Sequence, residues 1–265
     1  YTPVFVDIEP DNFTIDADKI EAAITPKTKA IIAVHVFGYA CNIEKIENIA
    51  KKHNIKVIYD AAHAFGSLYK GKSLLSFGDI STCSFHATKL FHTIEGGACI
   101  VKDKAVSDKL ELIKRFGHQG DEHFCLGINA KQSEMNAAMG LANFPYLKEI
   151  LSNRKRICDL YDSQLQRLIG RPKKQEDIVY NNAYYPVLFK DEKELLAVFA
   201  ALNEKQIYPR RYFYPSLNKL PYLKDAASCP ISEDITKRIA CLPLFNDMTD
   251  EQVQRVCDIL KGSLK

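Results

Sequence analysis

The sequence has no C-x-x-C pair, no G-x-G glycine pattern and no G-x-S-x-G elbow. Each absence closes a class. Without cysteines at redox or metal spacing, the eight at positions 41, 83, 99, 125, 158, 229, 241 and 257 read as reduced thiols of a cytoplasmic protein. Without G-x-G the dinucleotide fingerprint is missing, and without the elbow no Ser/His/Asp hydrolase has its nucleophile turn. Apolar stretches such as Ala30 to Val36 fall far short of the roughly 20 residues that cross a bilayer, so no membrane helix is expected. An excess of charge is lacking as well: 36 Lys and Arg against 33 Asp and Glu leave +3, too little to announce a nucleic-acid partner. What remains is ordinary globular composition, 46% hydrophobic and 26% charged over 265 residues, enough for one large or two small domains. The chain opens on Tyr1 rather than Met, with no signal-like segment.

The first 120 residues alternate β-branched runs with amphipathic stretches, the pattern of an α/β layer with a mostly parallel sheet. Asp16 is placed to cap a helix with Ile20, Ala23 and Ile24 on one face, and Ala30 to Val36 reads as a fully buried strand. A second helix follows Asn42 with Ile43, Ile46, Ile49 and Ala50 inward, and Lys56 to Asp60 is the next strand. Ser81 to Ala87 and Gly97 to Val101 are further strands, and Lys104 to Lys114 a helix. Between residues 145 and 175 the texture changes. A long helical pattern from Pro145 to Leu168 leads to a Tyr-rich strand, Val179 to Phe189, a helix from Asp191 to Leu202, and a Thr249-x-x-Gln252 capping box opening the last helix. Residues 1–150 thus read as a large α/β domain and 151–265 as a smaller α+β domain. All seven histidines lie at or before His123, so proton-transfer chemistry belongs to the first half and packing and substrate shaping to the second.

Gly66 to Ser73 satisfies the P-loop pattern G-x-x-x-x-G-K-[ST], which would make the chain a nucleotide hydrolase. A P-loop needs a helix starting at its Lys, and Leu-Leu-Ser-Phe-Gly-Asp79 leaves no room for one, so Tyr69-Lys-Gly-Lys72 is expected to be a hairpin turn. His118 and His123 match no metal spacing and read as solvated loop residues, with no metal site expected. The stronger set is Asp60-Ala-Ala-His63, Ser84-Phe-His-Ala-Thr-Lys89 and Glu95-Gly-Gly97. Any one of these residues alone is unremarkable, since lysines are mostly solvated. Together, a lysine just past a strand end, a carboxylate ending an adjacent strand and a nearby serine offer what pyridoxal 5′-phosphate requires. It needs an amine for a Schiff base, an anion for its ring nitrogen and a hydroxyl for its phosphate.

At this point the sequence resembles the DegT/DnrJ/EryC1/StrS aminotransferases, which act mostly on nucleotide-linked keto sugars. The matching segments run along almost the whole chain: Pro3 to Asp7, Thr28 to Ile31, Val34 to Gly38, Asp60 to Gly66, Gly78 to Ile80, Ser84 to Lys89, Glu95 to Gly97, Gly127 to Asn129, Ala137 to Leu141 and Cys241 to Leu244. The resemblance implies an aspartate-aminotransferase-like (type I) fold with residues 1–150 as the cofactor-binding large domain. It implies Lys89 as the Schiff-base lysine, Asp60 on the pyridinium nitrogen, Ser84 on the phosphate, and His63, where many members carry Gln, near the phenolic oxygen. Asn129 would reach a neighbour's cofactor phosphate, making the unit a homodimer. Glutamate is the implied donor, and the Arg210 to Ser216 and Asn129 to Lys131 segments point to dTDP-4-keto-6-deoxyglucose or a close relative as acceptor. Sugar dehydratases of the family replace the lysine by His, which Lys89 argues against. Arg154, Arg210 and Arg211 are candidates for the substrate diphosphate by charge alone. Members usually carry a further segment before the position of Tyr1 that holds the phosphate and stacks on the ring. The large domain is therefore expected to be N-terminally incomplete, with weak cofactor binding and little activity if Tyr1 is the true start.

Overall fold

The computed structural model of the chain describes residues 1–223 and 226–264. Asp16 caps α1 (Ala17–Ile20), its Oδ1 accepting from the Asp18 amide at 3.0 Å, and the chain then tightens into a 3₁₀ turn at Glu21–Ala23 rather than continuing as one α-helix. β1 (Ala30–Val34) leads to α2 (Ile43–His53), which Asn42 caps through the Lys45 amide and Asn54 ends in the left-handed conformation. Its Ile43, Ile46, Ile49 and Ala50 are buried, as their helical spacing requires. β2 (Lys56–Asp60) follows. β3 (Leu68–Tyr69) and β4 (Lys72–Ser73) form a hairpin whose two loop residues, Lys70 and Gly71, both have positive φ (47° and 74°). That is the primed turn a two-residue hairpin needs, and no helix starts at Lys72, so the P-loop alternative is excluded.

β5 (Ile80–Ser84), β6 (Gly97–Val101) and α3 (Lys104–Ile113) complete the first layer. The sheet order is β1-β2-β5-β6, with the first two pairings parallel and β5-β6 antiparallel, a mostly parallel sheet of mixed type. One sheet face carries Ile31, Ala33, Val57 and Tyr59 into a core with α2 and Leu74. The other face, through the paired rows Ile32-Ile58-Ile80-Val101 and Val34-Asp60-Thr82-Cys99, is not closed: Ile32 is 65% exposed and Val34 39%. The expectation of a fully buried strand is therefore corrected. β1 alternates because no described element packs over its second face, and it ends at Val34 because His35 turns the chain into a 3₁₀ segment.

The short hairpin β7 (His118–Gln119) and β8 (Glu122–His123) sets the two histidines opposite each other, ring centroids 5.2 Å apart. Among the described residues no group of three or more His, Cys, Asp or Glu is arranged to hold a metal ion. α4 (Glu134–Asn143) precedes the long α5 (Leu147–Leu165). The Tyr-rich stretch is two strands, not one. β9 (Ile178–Val179) adds to β3, and β10 (Tyr185–Leu188) pairs with β11, because Asn182 (φ 51°) breaks the chain and the Asn181 side chain, through Nδ2, donates to the His63 and Phe65 carbonyls at 2.8 Å each. α6 (Glu192–Glu204), capped by Asp191, α7 (Pro230–Arg238), β11 (Ile239–Leu242) and α8 (Asp250–Ser263) complete the chain. Tyr161 and Leu165 of α5, Leu195, Val198 and Leu202 of α6, and Val253 and Leu260 of α8 close a second core in which all seven are fully buried. A third cluster, Phe13, Phe37, Tyr39, Ile235 and Ile239, joins the two. No described helix is long and apolar enough to cross a membrane.

Candidate active site

Two parallel strands end side by side and deliver the chemistry, where ligands of open α/β sheets gather. β2 ends on Asp60, whose Oδ1 accepts from the Ala62 amide at 3.0 Å, while Oδ2 has no hydrogen bond among the described residues. β5 ends on Ser84, one paired row further along the same sheet face as Asp60 and Thr82. The Ser84 hydroxyl accepts from the His86 amide at 3.4 Å. Opposite, Gly96 and Gly97 let the incoming β6 press against this end. A Cβ on Gly97 would stand 2.8 Å from the Cys83 carbonyl, and one on Gly96 2.2 Å from Thr93 Oγ1. The Phe85 amide donates to the Gly96 carbonyl at 2.8 Å and the Lys89 amide to the His86 carbonyl at 2.9 Å, so the turn carrying Lys89 is tied at both ends.

Lys89 is half-buried and lines a cavity of about 430 Å³ with Arg154, Tyr184, Arg210 and Tyr212 among its walls. Among the described residues its one side-chain hydrogen bond is donated to Tyr184 Oη at 3.3 Å, and the ammonium lies 5.9 Å from the centre of that ring. Burial lowers its pKa from the ordinary lysine value, against the pull of the Asp60 carboxylate, which favours the charged form. The result is an amine more easily deprotonated than a surface lysine. Tyr184 is itself buried, and desolvation raises its phenol well above the usual range, so it is a neutral acceptor. His63, 8% exposed, accepts from the Phe37 amide at 3.0 Å through Nδ1 and packs against Tyr184 (4.4 Å) and Phe213 (5.8 Å, near-parallel). Burial, with the Lys89 charge adding to it, holds His63 down to about 3. It is therefore a neutral imidazole across the physiological range.

The structure thus brings Lys89 within electrostatic reach of both Asp60 and His63 and sets Ser84 on the same sheet face as Asp60. Asn129 stands apart. It is exposed, bridges Arg115, accepts from Lys131 Nζ at 2.8 Å, and does not line the Lys89 cavity. Of the three arginines singled out by charge, Arg154 and Arg210 line the cavity, whereas Arg211 turns to Glu192 and the Lys237 carbonyl. Sequence reasoning assigned the second half to packing and substrate shaping and so missed Tyr184, the residue that meets the lysine; one tyrosine of a Tyr-rich run carries no signal that it faces a lysine 95 positions away. For pyridoxal phosphate the donor set is chemically suitable: a half-buried amine of lowered basicity, a carboxylate with one uncommitted oxygen, and a hydroxyl, all at adjacent strand ends.

The model of the DegT/DnrJ/EryC1/StrS aminotransferase family matches residues 1–261. The chain belongs to this family. Among relatives, the dTDP-4-amino-4,6-dideoxy-D-glucose transaminase of Shigella dysenteriae is 36% identical over 98% of this chain and 73% of its own length. A GDP-perosamine synthase of Escherichia coli O157:H7 is 35% identical over 97% of this chain and 71% of its own. Among solved structures, DesI crystallised in the presence of its TDP-sugar product superposes with a TM-score of 0.93 at 30% identity, over 99% of this chain and 69% of that one. The PMP form of Spr1654 from Streptococcus pneumoniae gives 0.92 at 26% identity, over 99% and 76%. The expected family and the aspartate-aminotransferase-type fold are therefore established for this DegT-family chain.

Proposed function

We propose that this DegT-family protein is a pyridoxal 5′-phosphate-dependent aminotransferase that moves an amino group from glutamate to a nucleotide-linked keto sugar, with a dTDP-linked 4-keto-6-deoxyhexose as acceptor. The observation that carries the reading is the single half-buried lysine at the junction of the β2 and β5 ends, facing a carboxylate and opening into the cavity. The sugar class is supported by the relatives and by DesI, whose names specify dTDP-, TDP- and GDP-linked sugars.

Asp60, His63, Ser84 and Lys89 are the residues that would hold the cofactor, with Asn129 of a neighbouring copy as a further contact in a homodimer. Asp60 has an oxygen free to face a protonated ring nitrogen, and an anion there favours the charged ring. His63, neutral and held by the Phe37 amide, presents an uncharged edge. When bound, pyridoxal phosphate supplies a carbonyl that captures amines and a ring that accepts electrons. Lys89, once its amine is free and unprotonated, is the base positioned to take the proton from the α-carbon of glutamate and later return one to the carbon that receives the amine. Its lowered basicity keeps a larger neutral fraction near pH 7 than a surface lysine has. Tyr184 restrains the amine through one hydrogen bond, which leaves it able to swing between positions.

The test is to incubate the protein with the cofactor, glutamate and a panel of nucleotide-linked keto sugars, reading amino-sugar product by mass spectrometry. Product with a dTDP-4-keto-6-deoxy sugar, lost in Lys89→Ala, is expected. No product with any keto sugar, or equal product from Lys89→Ala, would sink the proposal.

A further inference from the structure

Three histidines lie near Lys89, and two of them are committed. His63 is buried, and its Nδ1 accepts from the Phe37 amide. His86 meets Thr88 Oγ1 at 2.9 Å through Nδ1 and Glu95 at 3.5 Å through Nε2, and neither of these two rings lines the cavity. His92 does line it. Among the described residues of that wall it is the one imidazole, and no carboxylate accompanies it. Its backbone is tied down on both sides: the His92 carbonyl accepts from Asn143 Nδ2 at 3.1 Å, and the Thr93 amide donates to the Phe85 carbonyl at 2.9 Å. Ile94 then takes φ 67°, a left-handed conformation that is costly for a β-branched residue, and from it the Ile94 amide donates to His92 Nδ1 at 3.3 Å. An amide only donates, so Nδ1 accepts and the proton of the neutral ring is on Nε2. Nε2 has no hydrogen bond among the described residues and is not sealed from solvent, so a ligand in the cavity can reach it.

We propose that His92 is a second proton carrier of this site, passing protons between nitrogen and oxygen while Lys89 passes them between carbons. The proposal rests on the aminotransferase reading above. Proton balance calls for such a group. When an amine condenses with the keto carbon of the acceptor, a C=N bond forms, the C–O bond breaks, and the oxygen leaves as water with both protons that the amine gives up. Release of the keto acid from the donor is the same exchange in reverse, water supplying the oxygen and its two protons going to nitrogen. Lys89 is engaged with the carbon-bound proton in both halves. The guanidinium groups of Arg154 and Arg210 in the wall do not give up protons, and burial keeps the Tyr184 phenol from ionising. In the forward direction the protonated Nε2 gives its proton to the oxygen and then recovers one from the nitrogen, twice over, so the ring ends as it began. The oxygen sits on the carbon that receives the amine, so its proton carrier must stand in the wall that holds Lys89, and the Ile94 amide fixes His92 there in the donating tautomer.

The experiment compares the cofactor-loaded protein with its His92→Gln and His92→Ala variants and records urea unfolding of each. It reads 2-oxoglutarate released from glutamate in a single turnover, and amino sugar formed from dTDP-4-keto-6-deoxyglucose. Both variants are expected to slow both steps about 100-fold. Calorimetric affinity for dTDP stays within about twofold of the unaltered protein. Free imidazole should raise the rates of His92→Ala by about tenfold or more and leave His92→Gln unchanged, because the glutamine side chain fills the space. A histidine that only braced its loop would not be rescued in this way. Nitrogen-15 NMR of the unaltered protein, which needs no variant to fold, should place the His92 ring proton on Nε2. Full rates in His92→Gln, a folded His92→Ala that imidazole does not rescue, or a neutral ring with its proton on Nδ1 each overturn the proposal. Loss of dTDP affinity that matches the loss of rate assigns His92 to binding and overturns it as well. The two readings fail separately. No 2-oxoglutarate from the unaltered chain sinks the aminotransferase and the relay with it, 2-oxoglutarate without amino sugar sinks the acceptor alone, and 2-oxoglutarate formed equally fast by His92→Gln sinks the relay alone.

Discussion

The helical core of α5, α6 and α8 and the outer face of the β1-β2-β5-β6 sheet are built from similar aliphatic residues and differ in closure. In the first, Leu195, Leu202, Val253 and Leu260 are all at 0% exposure, packed on three sides by helices and a strand pair. In the second, Ile32 and Val34 stand open in the same rows as Ile58 and Asp60. The candidate site lies on the open surface, not in the closed core, because Asp60, Thr82 and Ser84 share that face. Burial stabilises one region, and the other keeps polar side chains where a ligand can reach them.

The sharpest separation of the two comes from Lys89→Ala. It is expected to lower amination by about 10³-fold or more while leaving unfolding stability nearly unchanged, since the lysine has one weak side-chain contact. Next in size is a pair of truncations read by urea unfolding. Leu195→Ala should cost roughly 2–5 kcal/mol, because a fully buried side chain leaves a cavity. Ile32→Ala should cost within about 0.5 kcal/mol, as exposed substitutions do. If Ile32→Ala costs as much as Leu195→Ala, the comparison breaks, and the outer face is covered in solution.

How far the sequence carried this contrast depends on range. Locally determined features were legible: Asp16 as a cap, the helix starts at Asn42 and Asp191, the Thr249 box, the inward stripe of α2, and the hairpin turn that defeats the P-loop pattern. The Asp60 strand end was legible too, because a strand and its terminal polar residue are contiguous, whereas the strand expected over Ser81 to Ala87 ends at Ser84. Exposure of β1 was not. An unbroken run of apolar residues reads the same whether one face or both are covered, and only the partner elements decide. The split of the Tyr-rich stretch escaped for the same reason: Asn181 breaks it by bonding carbonyls more than 110 positions away. Tyr184 against Lys89 and Arg154 in the cavity wall are likewise products of tertiary placement, invisible in residue spacing.

Acid should act on the seam between the regions. His63 and the fully buried His35 are both held down to about 3 by burial, against 6.5 for a free imidazole. Their folded pKa values are depressed, so above pH 6.5 neither state binds the proton. Below it the unfolded chain takes up protons that the folded chain refuses, until about pH 3. Stability is thus full above 6.5 and lost as pH falls through that window, by about 1.4 kcal/mol per pH unit for each histidine once well below 6.5. His63→Gln should flatten the urea-derived stability profile between pH 6 and 4 by about one such slope. An unchanged profile would mean that His63 is solvated, and that the aromatic stack of Tyr184 and Phe213 does not stay closed over it.

The smallest effect belongs to the closed region, where it checks that closure and not local helix signals dominates. Thr249 Oγ1 accepts from the Gln252 amide at 3.3 Å and Gln252 Oε1 accepts from the Thr249 amide at 3.0 Å, the reciprocal pair that starts α8. Thr249→Ala should cost about 1 kcal/mol, well below Leu195→Ala, because water replaces an exposed cap bond but cannot fill an apolar cavity. Thr249 sits at the exposed end of a helix whose inner face is fully buried, so its loss frays one turn and leaves Val253 and Leu260 packed. Hydrogen exchange should then speed up at the amides of Asp250 to Gln252 and not at Val256 to Leu260. Faster exchange along the whole helix would show that α8 depends on its cap more than on its core, and would reverse the ranking of local and tertiary terms in the region that the burial pattern marks as closed.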